Sequence, residues 1–153
     1  MLPDDSAVPP PSTPMPSRDK PPLSVETLVR GGFELSARWI LTDAGELTTD
    51  RPLPNAVGVY AFANEGIALY VGVATMGLAK RLRFYAKPGV SQRTSQRLNQ
   101  MLKDELLALP SIDIYTAMPA DLEWNGLPVH MSAGLELGLI KRFALPWNIQ
   151  SAG

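Results

Sequence analysis

Arg81 and Glu136 are charged side chains at positions where the surrounding periodicity asks for apolar ones. Leu78, Arg81, Leu82 and Tyr85 fall at i, i+3, i+4 and i+7, and Glu136, Leu139, Ile140 and Phe143 repeat that spacing. Each charge therefore lies on the stripe that a helix turns toward its core. A charged group is rarely buried alone, so each must be paired, must reach solvent at an edge, or must do chemistry; a salt bridge between the two would satisfy both. A guanidinium is a permanent cation whose forked donors suit an anion, and a carboxylate suits a hard cation. Tyr60 and Tyr70 lie on two consecutive β-prone runs. Facing aromatics in strands commonly only pack, yet a phenol also carries an exchangeable proton.

The rest of the composition narrows the chemistry. The 153 residues include no cysteine and one histidine, His130, which excludes disulfides and thiolate sites and leaves too few nitrogen or sulfur ligands for zinc. A serine-hydrolase triad would depend wholly on His130. Net charge is -1, but its distribution is uneven. Seven of the fourteen Lys and Arg residues (Lys80, Arg81, Arg83, Lys87, Arg93, Arg97 and Lys103) lie between positions 80 and 103 without one Asp or Glu among them. That stripe can bind a polyanion locally, or it can be a solvated helix face. Uncharged runs are too short for a membrane-spanning helix and the acidic, proline-containing start does not read as a secretion leader, so a cytoplasmic protein with no membrane partner is expected.

The elements that must position these residues are legible in the chain. Eight of fifteen prolines fall in residues 1–22, which reads as a disordered tail. Residues 23–56 read as an N-terminal extension: a short helix from Val25 to Arg30 capped by Ser24, then an alternating strand (Phe33, Leu35, Ala37, Trp39, Leu41), a turn at Asp43-Ala44-Gly45 and a return strand, Glu46 to Thr49. Residues 57–153 form the remaining unit. Gly58 to Ala63 and Ile67 to Ala74 make a hairpin across Asn64-Glu65-Gly66. Read as a three-residue loop, it pairs Tyr60 with Tyr70 and Gly58 with Gly72. Helices are expected over 78–87, 91–109 and 129–143, and a strand over 112–118. The order predicts a single α+β domain: a small antiparallel sheet, with a tyrosine-bearing hairpin, flanked by helices.

In combination these residues resemble a known family. Gly58-Val59-Tyr60, then Tyr70-Val71-Gly72, then Lys80-Arg81-Leu82 with Tyr85, and finally Glu136-Leu137-Gly138-Leu139-Ile140 closing at Asn148, are similar to the successive motifs of the GIY-YIG nucleases, with Val for Ile in both triplets. The resemblance spans roughly 57–149, and the run from Pro88 to Thr94 looks like that of small stand-alone bacterial members. It implies a metal-dependent endonuclease acting on DNA. Tyr60 would be the general base, Arg81 the phosphate and transition-state stabiliser, and Glu136 the ligand of one Mg²⁺ or Mn²⁺ ion. Tyr70 and Tyr85, the latter standing where many relatives have histidine, would position phosphate or nucleophile. Gly72 would permit close approach to the backbone and Asn148 would brace the site. Lys80, Arg83, Arg93, Arg97 and His130 are the further candidates for substrate contact. Only Phe33 to Asp50 and Ala120 to His130 could serve as inserted recognition elements, so a separate targeting protein is compatible with the chain. Two other readings stay open: a nucleic-acid-binding module of this fold without turnover, and a protein-interaction domain resting on Pro9-Pro10-Pro11.

Overall fold

A computed structural model of the chain describes residues 20–149. Most of the predicted tail, residues 1–19, lies outside the described residues; Pro21 and Pro22 run beside Ala144, whose N–H donates to Pro21 O at 2.9 Å. Helix α1 (Val25–Arg30) follows, its Ser24 hydroxyl accepting from the Thr27 N–H as expected of an N-cap.

Strands β1 (Glu34–Leu41), β2 (Leu47–Thr49), β3 (Gly58–Asn64), β4 (Ile67–Ala74) and β5 (Ile112–Ala117) form one antiparallel sheet in the order β2-β1-β5-β3-β4. Helices α2 (Leu78–Ala86) and α3 (Arg93–Leu106) follow β4, and α4 (Met131–Arg142) follows β5. The α+β architecture is as the sequence predicts. The sheet separates two apolar layers. Trp39, Tyr60, Phe62, Tyr70, Ile112 and Ile114 meet Leu78, Leu82, Tyr85, Leu98 and Leu102 from α2 and α3 on one face. Val59, Ala61 and Val71 meet Leu23, Leu28, Phe33 and Leu145, with Leu135, Leu139 and Ile140 of α4, on the other. No helix among the described residues is long and apolar enough to cross a membrane.

Two registers differ from the expected ones. The β3–β4 hairpin closes on two residues, Glu65 (φ 53°) and Gly66 (φ 80°), with Asn64 opposite Ile67. Two successive positive φ values match the twist of the flanking strands better than a three-residue loop does. A bulge between Phe62 and Ala63 then shifts the pairing, so Tyr60 faces Gly72, Phe62 faces Tyr70 and Gly58 faces Ala74. The displacement from the expected pairing is two residues, so side-chain period is preserved and both tyrosines still point to one face. In β1 a second bulge, between Leu35 and Ala37, breaks the alternation: Phe33 packs in the α4 layer, Ala37 and Trp39 in the α2–α3 layer, and Leu35 is exposed.

One element went unpredicted. Residues 120–130, a candidate insertion in the sequence with no strand assigned to it, contain a separate two-stranded ribbon, β6 (Leu122–Trp124) and β7 (Leu127–Val129), turning at Asn125 (φ 54°) and Gly126 (φ 80°). The Asn-Gly dipeptide is the signal that marks such a turn.

Candidate active site

β3 and β4 set Tyr60 and Tyr70 side by side on one face of the sheet, and α2 lays Arg81 and Tyr85 over them. Tyr60 Oη lies 2.5 Å from Tyr85 Oη, which also accepts from Arg81 Nη2 at 2.9 Å and donates to Tyr70 Oη at 3.4 Å. Either hydroxyl can be the donor in the short Tyr60–Tyr85 bond. The Arg81 guanidinium carbon sits 4.3 Å from the Tyr85 ring centroid, a cation–π contact. No carboxylate among the described residues forms an ion pair with Arg81. The guanidinium is thus held by neutral groups, half-buried, with its charge uncompensated.

Gly72 has a more local function than the sequence suggested. A Cβ there would overlap the Tyr60 hydroxyl and ring, so the bare backbone at Gly72 makes room for the Tyr60 ring itself. This follows from the observed register, which places the two residues opposite one another.

Burial dominates the electrostatics of the phenols. It pushes the Tyr60 hydroxyl well above the ordinary tyrosine range, with Tyr70 adding to the rise, although Arg81 and the bond to Tyr85 pull it down. Tyr85 is likewise driven far up by burial, then by its two neighbouring phenols. Neither phenol is ionised at neutral pH in the resting chain. Tyr70 and Arg81 are the members of the cluster that keep contact with solvent.

Glu136 comes from the opposite layer. It is half-buried on α4, and burial raises its carboxyl above the usual range while a hydrogen bond from the Val73 N–H opposes that rise. Val73 follows Gly72 on β4, the outermost strand of the sheet on this side. Asn148 reaches the same free edge: its Oδ1 accepts from Val71 N–H and its Nδ2 donates to Val71 O, both at 3.0 Å. The Trp147 N–H donates to Leu69 O at 2.8 Å. The outward backbone groups of Leu69, Val71 and Val73 are therefore each met by the C-terminal part of the chain. The tyrosine–arginine cluster and Glu136 flank one strand from its two faces, and no salt bridge joins Arg81 to Glu136.

The remaining candidates separate by structure. Lys80, Arg83 and Arg93 are exposed. Arg83 turns away from Arg81, since two residues on a helix are about 200° apart, and it lines a cavity of about 460 Å³ with Trp39, Thr48, Leu53, Ala79 and Ala86. None of the tyrosines lines that cavity. Arg97, a candidate for substrate contact, donates to Trp147 O at 3.1 Å and so tethers the segment that carries Asn148. His130 caps α4, its Nδ1 accepting from the Ala133 N–H at 3.0 Å, a structural use in the resting chain.

Two residues of the site escaped sequence reasoning. Ser95, buried on α3, accepts from Arg81 Nη1 at 3.0 Å. Asn99, one turn later, donates to Tyr85 O at 2.7 Å and to Ala86 O at 3.3 Å, satisfying carbonyls at the end of α2. Both lie on the stripe with Leu98 and Leu102, and a polar residue on an apolar stripe is the same signal that singled out Arg81.

Among the described residues no three His, Asp or Glu side chains cluster as a preformed metal cage. A half-buried carboxylate at the strand edge, with no cationic partner among the described residues, does fit an ion that keeps most of its ligands as water and substrate oxygens, the habit of Mg²⁺.

No protein-family model matches the chain, and a search of curated proteins also finds no match. Among solved structures, bacteriophage T4 EndoII, in a mutant form, is similar at 21% identity with a TM-score of 0.67, covering 81% of this chain and 97% of its own. A restriction endonuclease, HPY188I in complex with product DNA, matches at 16% identity over 73% of this chain and 70% of its own, with a TM-score of 0.48. The likeness to EndoII shows a shared fold.

Proposed function

We propose that the chain is an endonuclease of the GIY-YIG type, hydrolysing DNA phosphodiester bonds with one divalent ion. The observation that carries this reading is the Arg81–Tyr85–Tyr60–Tyr70 hydrogen-bonded cluster, in which a cation with no acidic partner among the described residues is held by Tyr85 and Ser95. The fold shared with EndoII supports it.

Arg81 would take the scissile phosphate. Anchored by Ser95 and Tyr85, it pays no reorganisation when charge develops on the phosphate oxygens. The phenols act as one base. Tyr60 accepts a proton from the attacking water as it passes its own to Tyr85, Tyr85 passes one to Tyr70, and Tyr70, the most exposed of the three, releases one to solvent. Such a relay needs no free phenolate, which the burial of Tyr60 would make costly. Glu136 would hold Mg²⁺ or Mn²⁺ through its single carboxylate; a bound ion supplies positive charge to the leaving oxygen. Asn148 keeps the strand edge straight beneath that carboxylate. Lys80, Arg83 and Arg93 are left to track the DNA backbone, each neutralised phosphate contributing a slope of about -0.9 in log affinity against log salt.

The test is incubation of supercoiled plasmid with Mg²⁺. Wild type nicks it, and Glu136→Ala and Tyr60→Phe both lose nicking while remaining folded. Salt-dependent binding by wild type without any cleavage would instead identify a binding module of the same fold.

A further inference from the structure

Residues 121–130 are exposed without exception, yet they hold a regular ribbon. Its cross-strand pairs are Leu122 with Val129 and Trp124 with Leu127. Paired residues share a face, and so do residues two apart on a strand, so all four side chains project from the same side. They are 55% (Leu122), 66% (Trp124), 58% (Leu127) and 37% (Val129) exposed. Glu123 and Pro128 form the opposite side. An isolated two-stranded hairpin is marginal in water unless its apolar face is covered.

We propose that this face packs against the same face of a second copy of the chain. Charge and area choose that occupant. Between Lys103 and Lys141 the sequence has six carboxylates and no Lys or Arg, so the ribbon offers nothing to a phosphate backbone. Alternation places Glu123 on the back, and the Asp121 carboxylate is turned to the Met131 N–H at 3.1 Å; the apolar face itself is uncharged. An isologous contact needs a patch complementary to itself, and a charge-free strand face meets that need without a counter-charge. The four side chains together expose about 400 Å² per copy, with Trp124 the largest. A standard interface buries about 800 Å² per partner, a little over half of it apolar, so the patch matches the apolar centre of a dimer contact. Trp124 would be its anchor.

The proposal does not depend on the cleavage reading, because assembly is measured without substrate. Full-length wild type, Trp124→Asp and Glu123→Lys are compared by sedimentation equilibrium over a wide concentration range, with circular dichroism to confirm folding. The expected result is a dimer for wild type and for Glu123→Lys, and a monomer for Trp124→Asp. A wild type that stays monomeric throughout, or a Trp124→Asp variant that still dimerises, overturns the proposal. So does a monomeric wild type whose affinity for a DNA duplex falls on Trp124→Asp, since nucleic acid would then be the occupant.

Discussion

The two faces of the sheet hold their candidate functional groups in opposite ways. Beneath α2 and α3, Tyr60 and Tyr85 are almost wholly buried and bonded to each other, and Arg81 is bonded to Tyr85 and to Ser95 on the neighbouring helix. Beneath α4, Glu136 is half-exposed on a helix whose only buried residue is Ser132, and its neighbours Leu135, Leu139 and Ile140 are partly buried. One layer presents a rigid, prearranged cluster. The other presents a carboxylate at an accessible edge. For a reaction that must hold a phosphate still yet exchange an ion and a product, that division is suitable: fixed dipoles belong where charge develops, and a hydrated ion belongs where water can reach it.

The comparison predicts the largest loss on the rigid side. Arg81→Ala should lower single-turnover cleavage by about a thousandfold, the usual consequence of removing a prearranged donor to the developing charge; a loss below tenfold would remove Arg81 from the phosphate. Gly72→Ala comes next. The added methyl cannot coexist with the Tyr60 ring, so a destabilisation of about 1–3 kcal/mol is expected in urea titration, with cleavage falling alongside. Ser95→Ala leaves one Arg81 donor unmet, and is expected to slow cleavage by about tenfold, whereas Ser95→Thr, which keeps the hydroxyl, restores most of the rate.

The smallest effect belongs to the open side and is one of pH. Burial holds the Glu136 carboxyl above its ordinary value of 4.5, so the fold is penalised when that group is ionised. The penalty is present above the folded value and disappears below the ordinary one. Glu136→Gln should therefore be slightly more stable than wild type at neutral pH, with the difference closing as pH falls through the acidic range. Mg²⁺ should reverse the order by stabilising wild type and not the variant. Melting temperatures across pH, with and without Mg²⁺, read both.

Much of this division was legible in the chain. Arg81 and Glu136 announced themselves as charges on apolar stripes, and hydrophobic periodicity placed every helix to within a few residues at each end. The tyrosine hairpin was legible as well. What failed was register: no periodic signal reports a bulge, because one extra residue changes backbone pairing without changing composition. That is why Gly72 could not be matched to Tyr60, nor Phe33 separated from Trp39, from sequence alone. The internal use of Arg97 was hidden for a different reason. A cation on an amphipathic helix looks the same whether it meets a phosphate or a carbonyl from the far end of the chain.

Groups on opposite faces of β4 are proposed to serve one bond-breaking step, and a double-mutant cycle probes that coupling. Tyr60→Phe, Glu136→Gln and the double variant are compared in single-turnover nicking of supercoiled plasmid with Mg²⁺. If the two residues act as a unit, the double variant cleaves about as fast as the slower single variant. Losses that multiply, or a Glu136→Gln variant that nicks at the wild-type rate, would show that the two residues serve no common step.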